Sequence, residues 1–510
     1  VKRILAIIAT ALLLALLAIY GLRSRLHGVI RDRTERVLRT HFDSHVEFSD
    51  FAVSLFPRIH VTILGLVMRH KGRTDIPPLI QIQQVSMYAN LRSLLQTKPR
   101  IGFVQLYGLQ IHTPPREPGG DPIIQRTDQD LAKKYPVLID ELRADDAAII
   151  VLRAEPEKPP RTFPIHYLSL RELSFDRPAK FHATLRNELP TGDIDATGEF
   201  GPWLPEVPRE THAAGQYTFQ NADLGTLKGI QGMLTSTGSF SGPLDYLEVD
   251  GVTDTPDFSL RTSDHPVALH TDFSSIVDGS NGNTYLKNVT ARFLHTNLAV
   301  SGKIVDVGRD TKGRTIELDA VSQDARVEDL IRLATKGKEP VMTGSVNLKT
   351  RIDIPEGSGD LIDRLKIAGQ FGIGKAKFTK PAVQAKIDTL SRKGQGHPKD
   401  MNINDVVSEL KGNFRVSDDV AHFSKLNFDV PGASINLAGT YHLNDGALDF
   451  HGKLMLQAKP SQTMTGAKSF FLKAVDPFFK GKGAGTVLAI KITGTKNNPA
   501  FGRDRGHASD

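Results

Sequence analysis

Residues 432–457 read GASINLAGTYHLNDGALDFHGKLMLQ, and residues 481–504 read GKGAGTVLAIKITGTKNNPAFGRD. Successive side chains of a β-strand point to opposite faces. Ile435, Leu437, Tyr441 and Leu443 therefore share one face, with Gly439 keeping the parity. Asn444-Asp445-Gly446 then supplies residues that tolerate positive φ, the chemistry of a tight turn. The return run sets Leu448, Phe450, Leu454 and Leu456 on one face, with Asp449, His451 and Lys453 opposite. A third run, Thr486 to Thr493, places Leu488, Ile490 and Ile492 by the same rule. Three such strands build one apolar face and one polar face, the pattern of an antiparallel sheet wetted on one side.

The same alternation recurs upstream, at residues 46–55, 60–68, 79–88 and 101–112. Clusters of Pro and Gly at 114–122, 155–164 and 201–208 break it. Helical spacing is expected at 128–143, at 223–230 and at 327–335, the last beginning Val327-Glu328-Asp329-Leu330. A loose glycine-x-aromatic opening repeats at Gly198-Glu199-Phe200, Gly215-Gln216-Tyr217, Gly238-Ser239-Phe240 and Gly412-Asn413-Phe414, at intervals too irregular for a solenoid. With 510 residues, 39% hydrophobic content, 44 Gly and 29 Pro, a long sheet with much solvated surface fits better than a string of thick-cored globules. The expected fold is mainly β: an N-terminal transmembrane helix, then an elongated, twisted antiparallel sheet of about 25 strands curled into a groove, with short helices capping it.

The run from Ile4 to Tyr20 is interrupted only by Thr10 and, with Leu22, is at the lower limit for spanning a bilayer about 30 Å thick. No A-x-A-like cleavage site follows it, so an uncleaved anchor over residues 4–22 is expected rather than a removed signal peptide. From Leu26 to Phe42 the apolar residues recur at threes and fours between arginines, as in a helix lying at a membrane interface or packed under the first strands. Residues 1–40 carry eight Lys and Arg against Asp32 and Glu35, so +6 of the net charge of +7 sits beside the anchor. What remains is nearly neutral and offers no basic stripe for a phosphate backbone, which excludes nucleic acid as the expected partner.

No catalytic pattern emerges. Gly369 to Ala376, GQFGIGKA, imitates a phosphate-binding loop, but Ala376 stands where a hydroxyl must hold Mg²⁺ and the run continues as a strand into Pro381. The 17 histidines form no H-E-x-x-H and only one H-x-x-x-H, His41 with His45, and the chain has no Cys, so neither a metal site nor a cysteine nucleophile is expected. Asp418-Asp419 lies between strand-like runs, where Asp is ordinary turn chemistry. The expectation is a protein that is not an enzyme and needs no cofactor.

The order G-x-Y-x-L-x-x-G-x-L-x-F-x-G-x-L from Gly439 to Leu454, the insert with Pro477-Phe478-Phe479, and the closing I-x-G-T-x-x-N-P-x-F from Ile492 to Phe501 resemble the C-terminal region of AsmA-like proteins, inner-membrane-anchored bacterial proteins related to TamB. Residues 46–68 and 101–117 resemble the N-terminal strands of the same family more loosely. The resemblance implies an anchor at 1–22, a linking amphipathic helix at 23–42, an N-terminal β region at 43–122, a central groove region at 123–410, a C-terminal region at 411–504 and a tail at 505–510. It implies a single-pass protein of the bacterial inner membrane with its body in the periplasm, although the arginines after the anchor would by the positive-inside rule favour the cytoplasm. It further implies a hydrophobic groove for phospholipid or another acyl-chain lipid, serving transport or outer-membrane homeostasis, with envelope proteins as further partners. The groove candidates are Ile435, Leu437, Tyr441, Leu443, Leu448, Phe450, Leu454, Leu456, Leu488, Ile490 and Ile492. The rival expectation is a structural scaffold or assembly factor for outer-membrane proteins, in which the same apolar face is a filled core.

Overall fold

A computed structural model describes residues 44–504 apart from 55–57, 71–76, 79, 95–99, 114–137, 152–159, 175, 203, 205–207, 264, 307–312, 338, 358, 460–461, 464–484 and 497. The expected anchor at 4–22, the linking helix and the Pro477-Phe478-Phe479 insert lie outside the described residues. Among the described residues no helix is long and apolar enough to cross a membrane.

The protein is mainly β, and its described residues form 26 strands of a large twisted mixed sheet. In chain order these are β1 (Ser44–Glu47), β2 (Asp50–Ser54), β3 (Ile59–His70), β4 (Ile80–Ala89), β5 (Arg100–Tyr107), β6 (Gln110–Thr113), β7 (Leu138–Val151), β8 (Arg161–Leu173), β9 (Ala179–Glu188) and β10 (Thr191–Phe200). There follow β11 (His212–Asp223), β12 (Ile230–Gln231), β13 (Met233–Pro243), β14 (Leu247–Leu260), β15 (Val267–Val277), β16 (Thr284–Phe293), β17 (Thr296–Val305) and β18 (Thr315–Arg326). The last described strands are β19 (Met342–Ile354), β20 (Lys366–Phe378), β21 (Ser408–Ser417), β22 (Val420–Val430), β23 (Ala433–His442), β24 (Ala447–Leu456), β25 (Thr486–Thr495) and β26 (Asn498–Arg503). The described helices are α1 (Leu91–Leu94), α2 (Val327–Ala334) and α3 (Pro381–Gly394), with a 3₁₀ turn at Leu224–Leu227 inside the helical stretch expected at 223–230. Two compact units divide the chain: residues 1–220 with 237–249 and 278–282, and residues 221–236 with 250–277 and 283–510.

In the first unit the sheet is not purely antiparallel, which corrects the expectation. β7 pairs in parallel with β5 and then with β6, and antiparallel with β8. Parallel neighbours need a crossover rather than a hairpin, and the connection from β6 to β7 (residues 114–137) is long enough to bring the chain back. The helix expected over 128–143 is a second correction, since residues 138–143 open β7. Leu138 and Leu142 match helical spacing, but Leu142, Ala144 and Ala147 instead pack inward from a strand with its bend at Asp146, φ 53°. Phe51, Ile63, Leu66, Val85, Leu106, Ala144 and Ile165 close together into a filled core.

In the second unit β15 to β26 run as an antiparallel meander, each strand pairing with the next. Asp418 and Asp419, both at positive φ (51° and 60°), close the hairpin between Ser417 and Val420 as turn residues. The GQFGIGKA stretch lies within β20, with Lys375 at φ 52° in a bulge. α2, α3 and the insert after β24 all interrupt the meander at the same ends of the strands. The opposite ends are joined by loops and hairpin turns such as Asp418-Asp419 and Asn444 to Gly446. Among the described residues the two rims of this unit therefore differ, since α2 and α3 both stand at the same one.

Candidate functional site

The register of β20 to β26 assembles the apolar positions into rows that run across the strands. Next to the helix rim lie Ile373, Leu410, Phe428, Ile435, Leu454 and Leu488. The next row is Phe371, Gly412, Leu426, Leu437, Gly452, Ile490 and Arg503. Beyond it come Gly369, Phe414, Phe423, Gly439, Phe450, Ile492 and Phe501, and then Ile367, Val416, Ala421, Tyr441 and Leu448. Ten of the eleven groove candidates fall in these rows or at their helix-rim end, where Leu456 pairs with Ala433. Leu443 does not. The strand ends at His442, and Leu443 sits in the turn, 46% exposed.

Large side chains in these rows stand beside glycine. Phe414 faces Gly369, Phe371 faces Gly412, and Phe450 faces Gly439. A Cβ on Gly412 would meet the Phe371 ring at 2.9 Å, and one on Gly439 would meet the Phe450 Cα at 2.7 Å. The glycine gives the ring its room, and the ring covers the backbone that glycine leaves bare. The repeated glycine-x-aromatic spacing was the visible trace of this device. The sequence reading did not carry it through to Phe371, Phe414, Phe423, Leu426 and Phe428 as members of the face.

Helix α3 closes the rim. Val406, Val430, Ala433 and Leu456 are buried there, with Ile387, Leu390, Phe428 and Leu454 packed against them. It is held chiefly by polar side chains. Asp388, 8% exposed, accepts from Gln384 Nε2 at 3.0 Å, from the Val406 N–H at 3.0 Å and from the Asp405 N–H at 3.3 Å. Ser391 Oγ donates to the Pro431 carbonyl at 2.8 Å. A buried acceptor with several donors is costly to disconnect, so α3 is a fixed wall of this rim. α2 is tied in the same way: Asp329, 4% exposed, accepts from the His295 N–H at 2.8 Å and from Thr296 Oγ1 at 2.9 Å. Above Ala325, Val346 and Ile373 it covers the rim of β18 to β20.

The middle rows are different. Leu426, Leu437, Ile490 and Ile492 belong to none of the three buried clusters found among the described residues, and each stays partly exposed, as Leu410, Ile435 and Leu488 do in the row beside the rim. From β15 to β26 every described in-register position on this face is uncharged, outside the bulges, until Arg503. The charges stand on the other face, where Lys303 meets Glu317 at 3.2 Å, Arg351 meets Glu317 at 2.9 Å, and Arg292 meets Asp272 at 2.5 Å.

On the polar face His451 ties down the residue that follows β26. Its Nδ1 lies 2.7 Å from Asp504 Oδ2 and its Nε2 3.1 Å from Asp449 Oδ1. The bond to Asp504 raises the imidazole pKa above its ordinary value, partial desolvation opposes the rise, and Asp449 adds to it. Because the folded value is the higher one, this contribution is fully present below the unfolded imidazole's pKa of about 6.5 and is lost as pH rises through the folded value. An NMR titration of His451 is expected to give a midpoint above the ordinary range that falls back in Asp504→Asn. An unshifted midpoint in the parent would mean that the clip does not form.

No family description, curated protein or solved structure matches this chain. The functional reading rests on the geometry of the face and on the motifs at its C-terminal end.

Proposed function

We propose that the chain is an AsmA-like protein of the bacterial inner membrane. Residues 4–22 anchor it, the body stands in the periplasm, and the apolar face of the second unit is a trough in which phospholipid, or another acyl-chain lipid, moves between inner and outer membrane. The observation that carries this reading is the middle rows: uncharged, and left partly open at Leu426, Leu437, Ile490 and Ile492. A filled core would bury these side chains as the first unit buries Phe51, Ile63 and Leu106. Burial of apolar surface is worth roughly 25 cal/mol per Å², so a face left half-open over this length favours an occupant. Acyl chains fit the rows while headgroups stay in water, and the mechanism is passive, with no cofactor and no bond broken by the chain.

The rival is a scaffold or assembly factor for outer-membrane proteins. The first unit's filled core favours such a role for that unit alone.

The expected result is that purified protein carries phospholipid at no less than stoichiometric amounts. A photo-crosslinking residue at Leu437 or Ile490 should capture lipid. The same residue at Asn436, exposed on the opposite face, should not. Equal labelling of the two faces, or a folded preparation without lipid that takes up none, would move the reading to the scaffold.

A further inference from the structure

From β15 to β26 the apolar face carries no in-register charge until the last described strand, where Arg503 stands opposite Ile490 at the end of the middle row. Phe501, its same-face neighbour two residues earlier, stands opposite Ile492 and is 68% exposed. Arg503 is exposed as well, and no carboxylate among the described residues pairs with it. The adjacent carboxylate is spent elsewhere, since Asp504 is turned to the polar face and bound to His451 at 2.7 Å. A guanidinium presents a planar fork of donors matched to phosphate oxygens. Here it is set where an acyl chain lying along Ile490 and Leu437 would bring its polar end.

We infer that Arg503 with Phe501 forms a headgroup site for a phosphate-bearing lipid at the β26 end of the apolar rows, the ring lying against the first methylenes of the chain and the guanidinium on the phosphate. This rests on the trough reading and adds to it a polarity: the lipid is held headgroup towards β26. It also selects a substrate class, phosphate-bearing lipids over uncharged diacylglycerol. The exposed edge of β26 gives Arg503 another physical use, since a charge on an edge strand discourages edge-to-edge pairing, and the test separates the two.

The experiment measures equilibrium uptake by the full chain in detergent of a fluorescent phosphatidylglycerol and of a fluorescent diacylglycerol with the same acyl chains. The parent is expected to prefer the phospholipid. Arg503→Gln should lose that preference, with phospholipid affinity falling about ten-fold, the loss of one charge-assisted bond, and diacylglycerol uptake unchanged. Arg503→Lys should recover part of it. Arg415→Gln, an exposed arginine on the opposite face, should change nothing. The inference is overturned if Arg503→Gln keeps the preference whether or not its oligomeric state changes. It is likewise overturned if Arg415→Gln lowers it equally, or if millimolar inorganic phosphate displaces the phospholipid, which would mark a free-anion site. If the parent takes up neither lipid, the trough reading falls and this site falls with it. If parent and Arg503→Gln take up both lipids alike, only the headgroup site falls.

Discussion

Phe450→Ala is expected to destabilise the second unit by about 3–5 kcal/mol, the cost of emptying a buried aromatic site. On the sequence alone Phe450 belongs with the residues that an open trough would present to lipid. The register keeps it on that face, between Gly439 and Ile492, but neighbouring side chains cover its ring. It is 7% exposed, its ring centroid lies 5.7 Å from that of Phe423, and Gly439 on one side leaves it the space it fills. Protein atoms surround the ring, and a mobile lipid chain cannot restore those contacts. Leu437→Ala should cost less than half as much, because Leu437 is partly exposed and stands beside Gly452, which has no side chain to pack against it. Urea unfolding of the two variants checks the ordering. A Phe450→Ala loss no larger than that of Leu437→Ala would mean that the aromatic–glycine packing does not hold the face together.

The C-terminal sheet was legible because alternation, turn chemistry and glycine spacing agreed there. Ile435 to Tyr441 and Leu448 to Leu456 alternate cleanly, and Asn444 to Gly446 can only turn. The same reading carried one residue too far at Leu443, since alternation does not say where a strand stops. Helix α2 was visible through its apolar spacing. Helix α3 was not, because the residues it buries include Gln384, Asp388 and Ser391, which give no hydrophobic period. Only Pro381 in the first turn hinted at it. The parallel pairing of β7 with β5 leaves no mark on either strand, since parallel and antiparallel neighbours alternate alike. For the same reason, alternation could not tell the filled core under Phe51 and Leu106 from the half-open rows around Leu437. That difference lies in what packs over the face, and residues distant in the chain decide it.

Leu437→Asp separates lipid passage from folding most sharply. Leu437 sits in the middle row between Leu426 and Gly452, away from the cluster under α3. A carboxylate there keeps access to water on a half-open face, so the fold should survive with a loss of about 1–2 kcal/mol. An acyl chain crossing the same point would strip that water away, and an unpaired charge against hydrocarbon costs several kcal/mol. Lipid occupancy and transfer between vesicles should therefore fall by at least about ten-fold, while the unfolding midpoint moves little. Ile490→Asp, one row-mate away across Gly452, should behave alike. Leu454→Asp should not, because Leu454 packs with the α3 cluster and a charge there would unseat the helix. Asn436→Asp adds the same charge one residue away on the polar face and should leave transfer intact. A folded Leu437→Asp that transfers lipid like the parent would show that acyl chains do not pass over the middle rows, and the open face would then have to be explained by a protein partner that covers it.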